Sequence, residues 1–423
     1  MQRHPRRPDH DISPGPVQHC QICGYGALQT VIDLGHQPLC DSLPNAAELS
    51  EPETSYPLQQ LWCPKCTLSQ LSYVVTGETV YHLNYPYRSG VTEELAAYQD
   101  DFAEAAIGRL ALKPGDLVVD IGSNDGTLLS GFKRRGMRVV GVEPTNIAEI
   151  AVANGIETVQ AFFDVEVAIT LRASHGRPKL ITATNVFAHM ASLGSFIRGI
   201  EQLLASDGVF VLENHYLADV IRGNQFDTIY HEHLRTYSLR SLVTLFDFYD
   251  FTLVDASRAS RYGGNIRAYV AKGRDRPIKP SVRTILEEEE AYGLGDPNLY
   301  RSFRERAEHA KLELLALAVN CRVKGLGFVG NSCPGRCSTL LNYCGIDRML
   351  MPYICEQPTS LKLGLHLPGM HIPIVNNQRL IDDQPDFVVL LAWHYAQPIA
   401  EQLRQRGLRS KLVVPLPELR ILD

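Results

Sequence analysis

The segment at residues 230–237 concentrates side chains that can move protons. Tyr230, His231, Glu232 and His233 occupy four consecutive positions in it. Burying so many polar groups is costly unless each finds a partner, so this density favours a reactive site over core packing. Histidine has an ordinary pKa of about 6.5, which suits a general base at neutral pH, and a carboxylate or phenol beside it can orient the ring. The segment therefore predicts a site of proton transfer.

Two other interpretations of this segment remain open. His231 and His233 have the HxH spacing of a metal-binding pair, with Glu213 or Glu232 available as a third ligand. The same residues could also form a polar surface loop.

Two CxxC pairs near the N-terminus, Cys20 with Cys23 and Cys63 with Cys66, have the spacing of metal ligands. A two-residue gap lets both sulfurs of a pair converge on one ion, and two pairs can hold Zn²⁺ tetrahedrally. The 39 residues between the pairs exceed the usual zinc-ribbon gap, so they form a sizeable excursion, in which Cys40 could replace one ligand. Four cysteine ligands leave no open position, so we predict a structural zinc site. The alternative is two unrelated pairs of buried free thiols.

A turn at residues 120–126, DIGSNDG, follows an apolar run. Gly122 and Gly126 permit close backbone approach at a strand-to-helix turn, which is where doubly wound sheets bind small cofactors. The pattern is not GxGxxG, which disfavours a dinucleotide. Glu143 lies 17 residues beyond Gly126 at the end of the next run, where an acid can accept both ribose hydroxyls of an adenosine. Together the turn and the acid resemble the methyl-donor site of class I S-adenosylmethionine-dependent methyltransferases.

The elements that must position these residues alternate between strand and helix. Helical spacing follows Pro86, with Thr92 as the predicted N-cap. Short β-rich runs then each precede a turn, with helical stretches between them, at residues 116–129, 137–144, 179–190 and 208–215. This alternation predicts βαβ units and a parallel sheet.

Further along the chain, residues 272–282 are rich in charge and proline, and a charged helical stretch follows to about residue 320. Three more buried strands are expected after it, which indicates a second α/β unit. We therefore expect four segments. These are a mobile tail at 1–16, a zinc-binding domain at 17–84, a methyltransferase domain at 85–275 and a C-terminal α/β domain at 276–423.

Composition narrows the possible partners. The 423 residues suggest about three domains, and 45% apolar with 21% charged residues is typical of a folded globular protein. The net charge of −6 and the lack of a basic stripe oppose nucleic acid as a partner, and with it a zinc-ribbon RNA methyltransferase. No apolar run approaches membrane length and no signal peptide is evident, so we expect a cytoplasmic enzyme without membrane contact or an obligate protein partner.

A longer series of motifs resembles one family over about residues 18–423. In chain order it comprises CxxC…CxxC, YPYRSG, DIGSNDGTLL, NVFAHM, FDTIYHEHLRTYS, TLLNYCG and PGMHIPI. The chain thus resembles the nucleotide-sugar C-methyltransferases of deoxysugar pathways. The resemblance implies a zinc-binding N-terminal domain, a class I, Rossmann-like methyltransferase domain and a C-terminal α/β domain that binds the sugar nucleotide. The implied reaction is S-adenosylmethionine-dependent methylation at C3 of a dTDP-linked 4-keto-6-deoxy sugar.

The resemblance also implies roles for individual residues. His233 is the expected base, with Tyr230, Glu232 and His189 as polar support, and either Tyr85 or Tyr87 is expected to reach the substrate. The expected cofactor-binding residues are Asp120, Gly122, Asn124, Gly126, Glu143 and Asn185. The expected substrate-binding residues are Arg267, Arg336, Asn342 and His371.

Two turns depart from the family pattern. Residues 261–267 lack the histidine and serine of an HGGS-type turn, and residues 330–336 replace a GYGAPAK-like turn, with Arg336 at the lysine position. Both changes fall on expected substrate-facing loops, so the sugar or the nucleotide is expected to be unusual. An O-methyltransferase acting on a sugar or related small molecule is one alternative function. A noncatalytic carbohydrate-binding or assembly protein that keeps the fold is another.

Overall fold

The computed structural model describes residues 8, 10–81, 90 and 93–422. Tyr85, Tyr87 and the predicted helix cap Thr92 lie outside the described residues. Among the described residues, no helix is both long and apolar enough to cross a membrane.

The N-terminal lobe is built from short strands, a 3-10 turn at Glu48–Ser50 and a one-turn α-helix. Its elements are β1 Gly15–Pro16, β2 Gln29–Gln37, β3 Tyr56–Trp62, β4 Ser69–Leu71, β5 Tyr73–Val74 and α1 Gly77–Val80. Residues 10–16, expected to belong to a mobile tail, are instead packed against the rest of the chain. The His10 ring lies 2.7 Å from the Tyr249 hydroxyl and 2.8 Å from the Ile22 carbonyl oxygen, and β1 pairs with β5.

The central part follows the predicted alternation of strands and helices. Its elements are α2 Glu93–Leu110, β6 Leu117–Ile121, α3 Thr127–Arg134, β7 Arg138–Val142, α4 Ala148–Ala153, β8 Thr158–Val159, α5 Val165–His175, β9 Leu180–Thr184, α6 Leu193–Leu203, β10 Val209–His215, α7 Leu217–Arg222, β11 Arg235–Thr236, α8 Leu239–Asp247, β12 Phe251–Ala259 and β13 Asn265–Lys272.

Seven of these strands form one sheet in the order β12-β13-β10-β9-β6-β7-β8. Strands β6 to β10 are parallel, and β13 and β12 continue the sheet antiparallel. Every residue of β6 is buried, as expected for a parallel strand covered on both faces by helices. The chain turns to opposite sides of β6 to reach β7 and β9, so the carboxyl end of β6 is the topological switch point, where such sheets bind ligands.

The C-terminal part is a second α/β unit. Its elements are α9 Pro280–Tyr292, α10 Pro297–Lys324, β14 Phe328–Asn331, α11 Gly335–Cys344, β15 Ile354–Glu356, β16 Ile374–Asn376, α12 Gln378–Asp383, β17 Phe387–Leu390, α13 Ala396–Gln405, β18 Lys411–Val414 and β19 Arg420–Leu422. The sheet has the order β16-β15-β14-β17-β18-β19, and only the β18–β19 pair among these described strands is antiparallel.

The N-terminal lobe has an antiparallel sheet of the order β11-β4-β3-β2. Its edge strand β11 follows immediately after His233 and Leu234, and Arg235 pairs with Gln70 of β4. The backbone N–H of Leu71 also donates to the Leu234 carbonyl oxygen at 2.9 Å. The segment predicted to transfer protons is therefore bound directly to the sheet of the cysteine-containing lobe.

Candidate active site

A cavity of about 430 Å³ lies where the two α/β sheets meet. Its wall contains residues that follow β6, β7, β9 and β10 of the central sheet and residues that follow β14, β15 and β17 of the C-terminal sheet. Asp41 and Tyr81 contribute from the N-terminal lobe. The carboxyl ends of strands in both sheets thus face one space, a usual location for ligand binding.

The turn after β6 has the tight geometry that its glycines predicted. Gly122 has φ +70°, and a Cβ atom there would lie 2.3 Å from Val186 Cγ2, so a larger residue would clash. Asn124 and Asn185 also adopt positive φ, at +50° and +55°, a conformation that asparagine tolerates better than most residues. All three line the cavity, whereas Gly126 lies outside its wall and is the N-cap of α3.

Glu143 connects two loops at this edge of the sheet through hydrogen bonds. Its carboxylate accepts hydrogen bonds from the Asn124 N–H at 3.0 Å, the Thr145 N–H at 3.0 Å and the Thr145 hydroxyl at 2.7 Å. A carboxylate has about four lone-pair positions, so one acceptor position remains for a ligand. Beside it, burial raises the pKa of Asp120 to about 7, against the opposing effect of a hydrogen bond from Thr182.

The tautomer of His233 is fixed by its partner. Its Nδ1 lies 2.7 Å from the carbonyl oxygen of Thr228, which can only accept a hydrogen bond. Nδ1 therefore carries the hydrogen, and in the neutral ring Nε2 has the lone pair. Burial lowers the pKa of His233 to about 4, so the ring is neutral at pH 7. His233 lines the cavity and has the protonation state that a general base requires.

Three aromatic side chains surround His233. The ring centroids of Tyr230, His215 and His189 lie 4.0, 4.8 and 4.9 Å from its own. Burial, together with the adjacent His233, lowers the pKa values of His189 and His215 well below the ordinary value. Burial raises the pKa of Tyr230, so its phenol keeps its proton. The Tyr81 hydroxyl is hydrogen-bonded to His189 Nδ1.

Glu232 also lines the cavity, and the Cys40 thiol donates to it, with Sγ 3.5 Å from Oε1. The structure thus places Cys40 beside Glu232 and not among the four paired cysteines. His231 does not line the cavity, and its ring packs against Tyr56 with 5.8 Å between centroids. The described parts of the chain contain two groups of side chains that could hold a metal, the four paired cysteines and Cys40 with Asp41 and Glu232. Neither group includes a histidine, so the structure does not support an HxH metal site.

Arg336 lies in the cavity wall and connects the C-terminal unit to the segment before Tyr230. Its guanidinium donates to Asp227 Oδ1 at 3.0 Å, Gln225 Oε1 at 3.2 Å and His394 Nδ1 at 3.0 Å. Because a guanidinium only donates, His394 Nδ1 is the acceptor, and Nε2 of the neutral ring carries the hydrogen. Burial and the nearby Arg336 charge lower the pKa of His394 well below the ordinary value.

Three predicted substrate-binding residues lie outside the cavity wall. Arg267 forms a buried ion pair with Glu213 at 2.7 Å, and Asn342 donates to two backbone carbonyl oxygens at 2.9 and 3.0 Å. The His371 ring lies 3.2 Å from a carboxylate oxygen of Glu53. These polar groups are satisfied by contacts within the protein, so the structure does not support their direct contact with a ligand in this cavity.

The cavity wall also contains His215, His394 and Lys362, which were not predicted from the sequence. Both histidines stand at or just after the carboxyl ends of apolar strands, and that position is a signal which could have identified them. Lys362 lies in a loop and donates to Asp41 Oδ1 at 2.7 Å. No sequence pattern indicates that pair, because it joins residues more than 300 positions apart.

The four paired cysteines converge as predicted. The Sγ atoms of Cys20 and Cys66 are 3.4 Å apart, those of Cys23 and Cys63 are 3.5 Å apart, and all four lie within 4.8 Å of one another. Four sulfurs around a tetrahedral zinc at about 2.3 Å would be about 3.8 Å apart, so the cluster fits Zn²⁺ with little adjustment.

Comparisons with known proteins cover nearly the whole chain. Family models match at residues 20–81 for a zinc-binding domain, 92–256 for a methyltransferase domain and 260–417 for a C-methyltransferase C-terminal domain. C-methyltransferase NovU of Streptomyces niveus is 33% identical over 413 residues, which are 96% of this chain and 97% of that protein. The chain belongs to the S-adenosylmethionine-dependent C-methyltransferase family.

Solved structures of other methyltransferases are similar to this C-methyltransferase over less than half of its length. An S-adenosylmethionine-dependent methyltransferase from Clostridium acetobutylicum is 14% identical, with a TM-score of 0.34, over 42% of this chain and 92% of that chain. Magnesium protoporphyrin IX methyltransferase from Synechocystis, with bound S-adenosylmethionine, is 13% identical, with a TM-score of 0.32, over 43% of this chain and 82% of that chain.

The cavity of the C-methyltransferase fits S-adenosylmethionine chemically. Glu143 offers its remaining acceptor position to a ribose hydroxyl beside the glycine turn. Gln99 of α2 lines the same wall, and its buried Oε1 has no hydrogen-bond partner within the described ranges. A buried acceptor without a hydrogen bond destabilises the folded protein, so a hydrogen bond from a bound cofactor to Gln99 Oε1 would be favourable.

We predict that Glu143→Ala weakens S-adenosylmethionine binding at least about tenfold, because hydrogen bonds to a charged acceptor contribute about 1.5–3 kcal/mol each. The substitution also releases Asn124 and Thr145, which adds to the loss. Calorimetric titration would measure the affinity. Glu149→Ala, which removes an exposed acid of α4, is the matched control. Wild-type affinity in Glu143→Ala would exclude this edge as the methyl-donor site.

Proposed function

We propose that this C-methyltransferase methylates C3 of a dTDP-linked 4-keto-6-deoxy sugar. The observation that carries the proposal is a buried neutral histidine, His233, whose Nε2 lone pair is available in the cavity. A carbon beside a ketone becomes nucleophilic only after its α-proton is removed, so a positioned base is the group that such a reaction needs.

The location of the cavity supports a nucleotide-linked substrate. The wall opposite the methyl-donor turn is formed by residues after β14, β15 and β17. The carboxyl ends of parallel strands in α/β units commonly bind nucleotides. A sugar that reaches from this wall towards His233 would place its ring between the two sheets. The motif resemblance independently favours the same substrate class.

His233 would act by taking the C3 proton onto Nε2. As the C–H bond breaks, its electron pair forms the enolate and the carbonyl electrons move to O4. Bound S-adenosylmethionine would supply an electrophilic methyl group. C3 would form the new carbon–carbon bond as the methyl–sulfur bond breaks, the carbonyl would be restored, and S-adenosylhomocysteine would be the leaving group. His233 then returns its proton to solvent, and the hydrogen bond to the Thr228 carbonyl oxygen keeps the ring in one orientation throughout.

Other predicted residues would support this base. Tyr230 packs on the His233 ring, and Glu232 contributes a carboxylate to the same wall. Asp120, Asn124 and Asn185 would belong to the methyl-donor side of the cavity. A contact of Tyr85 or Tyr87 with the substrate stays a prediction, because both lie outside the described residues.

A product assay would test the proposal. The enzyme is given S-adenosylmethionine and a panel of nucleotide-linked sugars with and without a 4-keto group, and products are analysed by mass spectrometry and NMR. We expect a carbon-linked methyl group at C3 of the keto sugars alone, with dTDP preferred over other nucleotides. An oxygen-linked methyl group, or equal methylation of sugars without a ketone, would contradict the proposal.

A further inference from the structure

We propose that His215 is a further catalytic residue, which donates a hydrogen bond to the substrate oxygen that becomes negatively charged when His233 removes the proton. This inference rests on the proposed function. Its basis is the position of His215 beside the base and the state of its hydrogen bonds.

The backbone of His215 is held beside the base. It is the last residue of β10, and its backbone pairs with Asn265 of β13. Its ring centroid lies 4.8 Å from that of His233, and both side chains line the cavity. A carbonyl oxygen lies about 2.4 Å from the α-carbon, so the two groups that act on these atoms must be close neighbours. The separation of the two rings meets this requirement.

His215 differs from the other cavity histidines in its partners. His189 bonds to the Tyr81 hydroxyl, His233 to the Thr228 carbonyl oxygen and His394 to the Arg336 guanidinium. Within the described residues, the ring of His215 has no hydrogen-bond partner. The residue is half-buried and lines the cavity. An imidazole that lines the cavity without a protein partner is therefore available to a ligand.

The charge state of His215 suits a donor. Burial and the neighbouring His233, Arg336, His189 and His394 lower its pKa well below the ordinary value, so the ring is neutral. A neutral imidazole always carries one N–H, and no protein partner fixes which nitrogen holds it. An N–H donor beside the base would stabilise the charge that develops on the substrate oxygen, and losing one donor of this kind typically costs about 10²–10³ in kcat.

Three substitutions separate this role from a structural one. His215→Leu removes the donor and is expected to lower kcat by about 10²–10³, with S-adenosylmethionine affinity within about twofold of wild type. His215→Asn and His215→Gln carry an N–H near the positions of Nδ1 and Nε2. One of these two variants should have a kcat at least about tenfold higher than that of His215→Leu. Rescue by asparagine would assign Nδ1 as the donor, and rescue by glutamine would assign Nε2. His309→Leu, at an exposed histidine of α10, is the control.

The readouts are kcat for C-methylation, the affinity for S-adenosylmethionine and deuterium exchange at C3 with S-adenosylhomocysteine bound. Wild-type kcat in His215→Leu would overturn the inference about His215 and leave the proposed function intact. Failure of both Asn and Gln to exceed Leu would assign His215 a packing role and would also overturn it. If wild-type enzyme methylates no keto sugar, the proposed function fails, and the inference fails with it.

Discussion

Replacing His233 with asparagine is expected to reduce kcat by about 10²–10⁴ and to leave S-adenosylmethionine affinity within about twofold. The asparagine amide can still donate to the Thr228 carbonyl oxygen from near the position of Nδ1, so the cavity wall is kept. The lone pair at Nε2 is lost, and the α-proton then has no acceptor. Steady-state kinetics and calorimetric titration measure the two effects separately.

Two comparisons sharpen this experiment. Glu232→Gln should reduce kcat less than His233→Asn if the carboxylate only supports the base. His309→Asn changes an exposed histidine and should match wild type. Full turnover by His233→Asn would refute proton abstraction by His233. A methyl group found on oxygen would refute the enolate chemistry itself.

The pH dependence of the reaction provides an independent measure of the same base. Protonated His233 cannot accept the α-proton, so kcat/KM should fall as the pH drops through its pKa. Burial lowers that pKa to about 4, whereas an exposed histidine titrates near about 6.5. The acid limb attributable to the base should therefore lie well below pH 6.5, and His233→Asn should remove it from the residual activity.

The sequence predicted where the site residues lie in the fold better than it predicted which groups they contact. Alternating strands and turns were sufficient to locate Asp120 and Glu143 at one sheet edge, because the carboxyl ends of parallel strands meet there. The expectation for Asn185 came from the family resemblance. The CxxC spacing was sufficient to bring four sulfurs together. Both predictions rest on local geometry, which short sequence patterns encode.

Predictions that depended on tertiary partners were less successful. Arg267 was expected to bind substrate, but its guanidinium forms an ion pair with the buried carboxylate of Glu213, 2.7 Å away. The tautomer of His233 depends on a carbonyl oxygen, that of Thr228, which no side-chain pattern specifies. Arg336 does line the cavity, yet Asp227 and His394 engage its guanidinium, and that network joins distant parts of the chain. Such contacts are fixed by packing, not by spacing.

The second large effect is expected at the zinc site. The protein should contain about one zinc per chain, and Cys63→Ser should lose it, because a small lobe gains folding free energy from a closed metal site. Elemental analysis measures the metal content. Cys321→Ser replaces a buried cysteine of α10 outside the cluster and should keep the zinc. Absence of zinc from carefully purified wild-type protein would contradict the assignment.

Loss of zinc should also impair catalysis more than cofactor binding, because the lobe holds the segment that contains the base. Thr67, next to the ligand Cys66, has its hydroxyl 2.7 Å from that of Ser238, and β4 pairs with β11 directly after His233. A displacement of about 1 Å at a reacting group can cost about 10²-fold in rate, so we expect a loss of that order in kcat for Cys63→Ser. The hydrogen bonds of Glu143 are to Asn124 and Thr145, which belong to the central part of the chain and not to the zinc-binding lobe. The affinity for S-adenosylmethionine should therefore change little. Hydrogen exchange should increase in β4 and β11 of the variant, whereas zinc loss with unchanged exchange and kcat would mean that the metal does not position the base.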